Sequence, residues 1–416
     1  MGAKVFMISK EKRKEDFLKL VKGLDISPTM FKNAKEKYEN IGKFLNENGL
    51  DLDIYPQGSF SLGTVVRPYR DNKDMDYDLD CICLLADDKN STSPREVKTS
   101  VGEALKSNKV YNDRLQEEWD KCWTLEYSEI NGVGFNLDLV PAVREENEII
   151  YKLKEKGNYD TKLEKAIAIT NRVKGELYSW ATNNPKGYKE WFDSINEPFK
   201  EFNREERRQA IFNENYKIFS SIEDIPEEIE RSSLQRVIQI LKRHRDVYFS
   251  KYQNKADYKP ISAIITTITA SIAESAPASI GVLDLLEFVA NEFEVYSKQQ
   301  TLSESVFSST YQNKKVIKKE NGKWKIQNPA NPEDNLADSW NTEPLKAKYF
   351  FEWVNEVKKD FIQSFSEEDE KFISILESSL GSNFVNGNIN TKLYFPEEPS
   401  EIKYESKPWS NNYGNK

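Results

Sequence analysis

Histidine is almost missing from this sequence: 416 residues contain one, His244. A Ser-His-Asp triad or a Cys-His pair would have to be built on that single side chain. Carboxylate and metal chemistry, drawn from 69 acidic residues, is easier to support. Cysteine is nearly as sparse. Cys81, Cys83 and Cys122 form an odd set that does not read as a disulfide framework, which points to a reducing compartment. Cys81 and Cys83 sit two apart in an apolar run with no third or fourth ligand in sight, a pattern of core packing rather than zinc. Long apolar runs are also lacking. The longest, Ile261 to Ala273, is interrupted by Ser and Thr and falls short of the roughly 18 residues of a membrane span. The opening MGAKVFMISK has Phe6 where a myristoylation signal requires Ser or Thr, and no signal-peptide apolar region follows. A cytoplasmic protein without membrane contact is expected. Finally there is no basic excess: the net charge is -9. Phosphate neutralisation dominates duplex binding, so long nucleic acid is not the expected partner, whereas single nucleotides need only a few cations.

What is present supports a sizeable core. Apolar residues make up 38% and aromatics 12%, and the length implies two lobes or one large α+β unit. Asp25 to Pro28 reads as a break, with Ser27 as N-cap and Pro28 at the first helical position of a helix that runs to Asn48, where Gly49 stops it. Leu52 to Val66 is mixed, and Pro68 to Asp74 is a polar turn. Tyr77 to Leu85 reads as a strand and Pro94 to Leu105 as a helix. Trp123 to Ile130 and Gly134 to Val143 read as two strands joined by an Asn131-Gly132 turn. From about residue 160 helical patterns dominate: 160–181, 185–194, 203–218, 229–251, 260–274, 281–298, and again from Ala347 to Ser379. Breaks fall around Asn321-Gly322 and from Asn328 to Asp334. The expected organisation is an α+β lobe over 1–160 with an N-terminal spine helix, an α-helical lobe over 161–395, and a flexible tail over 396–416, with substrate in the cleft between the lobes.

Three segments carry chemistry. In Met75-Asp76-Tyr77-Asp78-Leu79-Asp80-Cys81 the period of a strand projects Asp76, Asp78 and Asp80 from one face. Adjacent carboxylates repel unless cations sit between them, and hard divalent ions take oxygen ligands, as a two-metal phosphoryl-transfer site requires. An acidic pair alone would more readily be a solvated strand end. In Phe135-Asn136-Leu137-Asp138-Leu139-Val140-Pro141 one Asp interrupts an apolar strand. A buried lone carboxylate is costly unless paired or metal-bound. Beside the first strand Asp138 would complete a three-carboxylate cluster; on an edge it would simply face water. In Gln57-Gly58-Ser59-Phe60-Ser61-Leu62-Gly63-Thr64, a Gly-Ser opening a short helix offers backbone N–H groups and a hydroxyl to a triphosphate, though such pairs are common in turns.

Taken together, in this order, the three segments resemble the nucleotidyltransferases of the polymerase-beta superfamily, and more closely the bacterial cGAS/DncV-like synthases of second-messenger oligonucleotides or dinucleotides. GSFSLGT followed by DLDCICLL is similar to the core of that family, and NLDLVPAV to its third-acid strand. The segments WATNNPKGYKEWF (Trp180 to Phe192), LQRVIQILKRHRDVYF (Leu234 to Phe249), KPISAIITTI (259–268) and NPANPEDNLADSW (Asn328 to Trp340) extend the resemblance over about residues 30 to 390. It implies a polymerase-beta-like catalytic lobe with a small mixed sheet beside a helical lobe. It also implies two Mg²⁺ ions, with Mn²⁺ able to substitute, on Asp78 and Asp80, and Asp138 on the metal that activates the attacking hydroxyl. Asp76/Asp78 is the other register of the pair; Asp78/Asp80 is preferred because the apolar run begins after Asp80. Gln57, Gly58 and Ser59 would hold the donor phosphates. Lys242 would reach the donor triphosphate from the helical lobe, and Ser262 would line the same pocket. Without the resemblance, Lys242-Arg243-His244-Arg245 reads as a solvated helix face, His244 as structural, Trp180, Trp191 and Trp340 as core, and Ser262 as helix packing.

The implied reaction is in-line attack of a ribose hydroxyl on the α-phosphate of a nucleoside triphosphate, ATP among them, with release of pyrophosphate and closure to a cyclic or short linear oligonucleotide. The implied setting is bacterial anti-phage signalling, with a downstream effector that recognises the product and a regulatory partner protein. Other readings are an RNA-tailing or a small-molecule or protein nucleotidylating enzyme, and a catalytically silent binding module. A tailing enzyme would be expected to show a basic surface, and an intact acid triad argues against silence. Some relatives conjugate their own C-terminus; the ending Tyr413-Gly414-Asn415-Lys416 departs from the terminal Gly or Ala this uses.

Overall fold

The computed structural model describes residues 8–70, 73–130, 133–158, 160–312 and 316–395. The Asn131-Gly132 turn and the tail 396–416 lie outside the described residues. The chain opens with two helices, α1 (Lys10–Gly23) and α2 (Pro28–Glu47). As the sequence predicts, Ser27 caps α2 through its side chain, Pro28 takes the first turn, and Gly49 follows the last turn with φ +88°.

Strand β1 (Leu52–Pro56) and the one-turn helix α3 (Gly58–Ser61) come next, then a hairpin of β2 (Tyr69–Arg70) and β3 (Lys73–Asp74) where a plain polar turn is expected. Strands β4 (Tyr77–Leu85), β5 (Trp123–Ile130) and β6 (Val133–Arg144) match their predicted ranges to within a residue, and α4 (Pro94–Ser107) begins at its Ser93 capping box. The main sheet runs β1-β4-β6 and onward, with β5 paired to β6 as the expected antiparallel hairpin.

One prediction fails. Residues 160–181, expected to be helical, hold a short 3-10 turn and then two antiparallel strands, β7 (Ile167–Lys174) and β8 (Leu177–Asn183), turning at Gly175 with φ +56°. Ile167 to Thr170 are all buried, so the strand is covered on both faces and shows no period-two alternation to read. β7 pairs with β6, so the sheet continues past residue 160 to Asn183.

Two large cores result. The first packs one face of the sheet, through Leu79, Cys81, Cys83, Leu125 and Leu137, against α2 and α4. The two cysteines are therefore core residues, as expected. The second core gathers around the central helix Ser233–Lys251, with helices Ser262–Ala273, Val282–Ser297, Pro344–Phe361 and Asp369–Leu380. Helix α1 belongs to this second core: Phe17 packs edge-on against Phe361 and Phe365. Among the described residues no helix is long and apolar enough to cross a membrane.

Candidate active site

Strand alternation decides which side chains meet. In β4, Tyr77, Leu79 and Cys81 turn to the core, so Asp78 and Asp80 turn to the other face. β4 and β6 run parallel with Asp80 opposite Asp138 and Asp78 opposite Asn136. Directly opposed residues share a face, so carboxylates from positions 78, 80 and 138 stand side by side on one surface. β5 extends the surface: Thr124 is opposite Asp138, and Glu126 is opposite Asn136. The segment before β5 adds a last edge, through Glu126 N–H to the Arg114 carbonyl (3.0 Å), Gln116 N–H to the Thr124 carbonyl (2.9 Å) and an antiparallel bridge between Leu115 and Leu125. Two polar rows cross the sheet. One reads Asp80, Asp138, Thr124, Gln116; the other reads Asp78, Asn136, Glu126, Arg114.

Asp76 lines the cavity over these rows and its charge helps to raise Asp78, but its carboxylate is already engaged. Its carboxylate accepts the Gly134 backbone N–H at 3.0 Å, and a Cβ at Gly134 would come within 2.6 Å of it. In the register of β4 on β6 it is Asp80 that stands opposite Asp138.

The three acids are electrostatically uncomfortable. Burial, followed by repulsion from Asp138 and Asp78, pushes Asp80 up to about 7, against a smaller downward pull from Lys242. Burial also raises Asp78 and Asp138, opposed by hydrogen bonds from Asn136 Nδ2 (3.1 Å) and from the Thr124 hydroxyl. A hard cation would relieve this repulsion, and the donor set is all oxygen, as Mg²⁺ or Mn²⁺ prefers. Among the described residues the acids are not drawn into a ready-made cage for an ion. They fit a metal that completes its shell with water and substrate phosphate, the usual habit of Mg²⁺.

The Gly-Ser turn abuts the acid row. Gln57 N–H donates to the Asp80 carbonyl at 2.8 Å, fastening the turn to β4. Gly58 adopts φ +59°, and a Cβ there would lie 3.2 Å from Asp80 Oδ2, so glycine serves both the backbone and the close approach. Ser59 follows at the start of α3, half-buried.

Across the cleft, the central helix supplies Lys242. It is buried, and its ammonium donates to the Thr64 carbonyl (3.0 Å) and hydroxyl (3.3 Å), at the end of the Gly-Ser turn. Burial, with Arg245 nearby, depresses it to about 7, while Asp246 and Asp80 pull it back up. The solvated-face alternative for the basic run is overturned: residues 242 to 245 are all buried and all have partners. Arg243 pairs with Asp74, donates to the Leu380 carbonyl (2.8 Å) and covers the Tyr69 ring. His244 accepts the Trp353 indole N–H on Nδ1 (2.9 Å). Indole only donates, so the proton of a neutral ring sits on Nε2, which then donates to Asp360 (3.0 Å). This is a structural histidine. Ser262 accepts from Arg245 (3.0 Å) and is thereby tied to helix packing.

A cavity of about 1040 Å³ lies over the outer part of the polar rows. Its wall includes Asp78, Asn136, Glu126 and Arg114 from the sheet, and Asp246 and Lys259 from the helical side. Gly58, Ser59, Lys242 and Ser262 do not line it. Sequence reasoning missed Thr124, Glu126, Asn136, Arg114, Asp246 and Lys259. The alternation in Trp123-Thr124-Leu125-Glu126 carries a signal for the first two. Asp246 and Lys259, an ion pair at 3.3 Å, reach the cavity only through tertiary packing.

Residues 12–196 match the Second Messenger Oligonucleotide or Dinucleotide Synthetase domain. A "c-di-GMP synthase" of Roseivirga ehrenbergii is 27% identical over 360 residues, covering 85% of this chain and 80% of that protein. The CD-NTase CdnG of Bradyrhizobium diazoefficiens, solved with GTP, superposes with a TM-score of 0.66 at 16% identity over 91% of this chain and 98% of its own. Vibrio cholerae DncV cyclic AMP-GMP synthase, solved with the linear intermediate 5′ pppA(3′,5′)pG, gives a TM-score of 0.51 at 15% identity over 92% and 88%. With the acids of β4 and β6 in register beside a Gly-Ser turn, the chain is similar over residues 12–196 to that synthetase domain and shares the fold of the CD-NTase structures.

Proposed function

We propose that this enzyme joins nucleoside triphosphates into a cyclic oligonucleotide second messenger, without a template. A ribose hydroxyl attacks the α-phosphate of a donor triphosphate in line, and pyrophosphate leaves. A second round on the re-bound linear product closes the ring. The observation that carries this reading is the register of β4 on β6, which sets Asp80 beside Asp138. The named activities of the relatives, c-di-GMP synthesis and cyclic AMP-GMP synthesis, support GTP and ATP as substrates.

In this reading Asp78, Asp80 and Asp138 hold two Mg²⁺ ions, which when bound lower the pKa of the hydroxyl and stabilise charge on the attacking and leaving oxygens. Thr124 and Asn136 orient the outer two acids. The backbone of Gln57, Gly58 and Ser59 grips the donor phosphates, and Lys242 neutralises them from behind. Lys259, steadied by Asp246, supplies a further cation at the cavity wall. Ser262 acts through Arg245 to fix the same corner. The sheet as far as Asn183 forms the catalytic lobe and the helices beyond it the second wall of the cleft. We place the enzyme in the cytoplasm, where its substrates are, in anti-phage signalling with a downstream effector. The Escherichia coli CdnC solved with HORMA-deltaN supports a regulatory partner protein.

The test is incubation of the purified chain with radiolabelled GTP and ATP, singly and mixed, with Mg²⁺ or Mn²⁺. Phosphatase-resistant product and released pyrophosphate are expected. No transfer under any nucleotide, metal or partner condition would instead favour a binding module.

A further inference from the structure

We propose that Glu126 and Arg114 read a guanine base, which makes them the specificity-determining pair of the cavity. The inference rests on the nucleotidyltransferase reading for the placement of phosphate, and on the sheet register for the rest. The second polar row runs from Asp78 through Asn136 to Glu126 and Arg114. It spans three strand spacings, roughly 14 Å at about 4.8 Å each. A nucleotide whose phosphates sit at the acid end lays its base along the floor toward the other end. All four residues line the cavity.

The two end groups have complementary chemistry. A carboxylate only accepts hydrogen bonds, and a guanidinium only donates. Guanine offers adjacent donors, N1–H and the N2 amino group, on one edge, and the acceptors O6 and N7 on another. Adenine has an acceptor at N1 and no N2 amino group, so Glu126 would face it acceptor to acceptor. Glu126 is exposed in the cavity, and among the described residues its carboxylate makes no hydrogen bond or ion pair. Arg114 is half-buried and preset. One Nη donates to the Val110 carbonyl, and the guanidinium lies 5.5 Å from the centre of the Tyr127 ring. A charge left unmatched on one side and a fork held in place on the other describe a site that awaits a ligand with both donors and acceptors.

The test uses the full chain and the α,β-methylene analogues of GTP and ATP, which bind but cannot transfer, with affinity read by calorimetry in Mg²⁺. The wild type is expected to bind the guanosine analogue at least about tenfold more tightly. Glu126→Gln should remove most of that preference, since an amide satisfies adenine as well, and Arg114→Ala should remove part of it. Glu126 is exposed, so the folded state of Glu126→Gln is checked by its thermal midpoint. A wild type with no purine preference, or a Glu126→Gln variant that keeps it, overturns the proposal. Because binding is read without turnover, failure to make product in parallel assays would defeat the synthesis reading alone. With equimolar GTP and ATP, the guanine-to-adenine ratio in the product should fall in Glu126→Gln.

Discussion

The central helix and the cavity floor both carry charge out of bulk water, and they treat it in opposite ways. Along the helix, Arg243 meets Asp74, His244 meets Asp360 and Arg245 meets Asp246. On the floor, Asp78, Asp80 and Asp138 meet one another, with Asn136 and Thr124 on the two outer acids and Lys259 and Lys242 as the smallest influences on Asp78 and Asp80. Buried charges are ordinarily paired, because an isolated one is costly. The first region obeys that rule and so reads as architecture. The second leaves it open, and the missing counter-charge is what a cation and a triphosphate would bring.

The largest effect should come from removing the acids. Asp78→Ala/Asp80→Ala is expected to lower product formation by a factor of at least about 10³ with an unchanged circular dichroism spectrum; retention of full activity would mean the site lies elsewhere. The complementary change on the architectural side is Arg243→Ala. It leaves Asp74 with only the longer Arg67 contact at 3.7 Å and the Leu380 carbonyl without its donor, so urea unfolding should report a loss of about 1–3 kcal/mol, while Mg²⁺-dependent turnover of the folded fraction persists. A stability change near zero would erase the contrast between the regions.

Metal is the next lever. Ligand at about 100 times its Kd stabilises the folded state by about 2.7 kcal/mol. Mg²⁺ with nucleotide analogue should therefore raise the wild-type Tm and leave that of the double alanine variant nearly unmoved. Thr124→Val comes last. Loss of the hydroxyl that holds Asp138 should cost about 10- to 100-fold in metal affinity or turnover, and Thr124→Ser should restore most of it. A merely structural threonine would not be rescued in metal dependence by serine.

Much of this was legible in the residues. Strand β4 announced itself because apolar positions alternate with Asp78 and Asp80, and β6 because Asp138 breaks an apolar run. The Ser27-Pro28 start of α2 and the Gly58 turn follow from local backbone chemistry. The parallel register of β4 on β6 did not show, since it is fixed by packing between segments more than 50 residues apart. β7 and β8 were hidden because burial on both faces erases alternation. The partners of the basic run, Asp74 and Asp360, sit far away in the chain, so only tertiary structure could turn an apparent solvated face into a buried one.

The floor holds unbalanced negative charge at the expense of stability. Asp80 titrates near 7 in the fold against an ordinary 3.8. Between those values the folded chain keeps a proton that the unfolded chain has lost, so its contribution turns against folding as pH rises, and the penalty is complete above about 7. Lys242 acts in the opposite sense and higher up, between about 7 and 10.5, where the unfolded chain holds the extra proton and stability recovers with pH. The most direct measurement is the Tm of Asp80→Asn against wild type in metal-free buffer from pH 4 to 8. The variant should be the more stable protein near pH 7, with an advantage that shrinks toward pH 4. A variant less stable than wild type at pH 7 would contradict the claim.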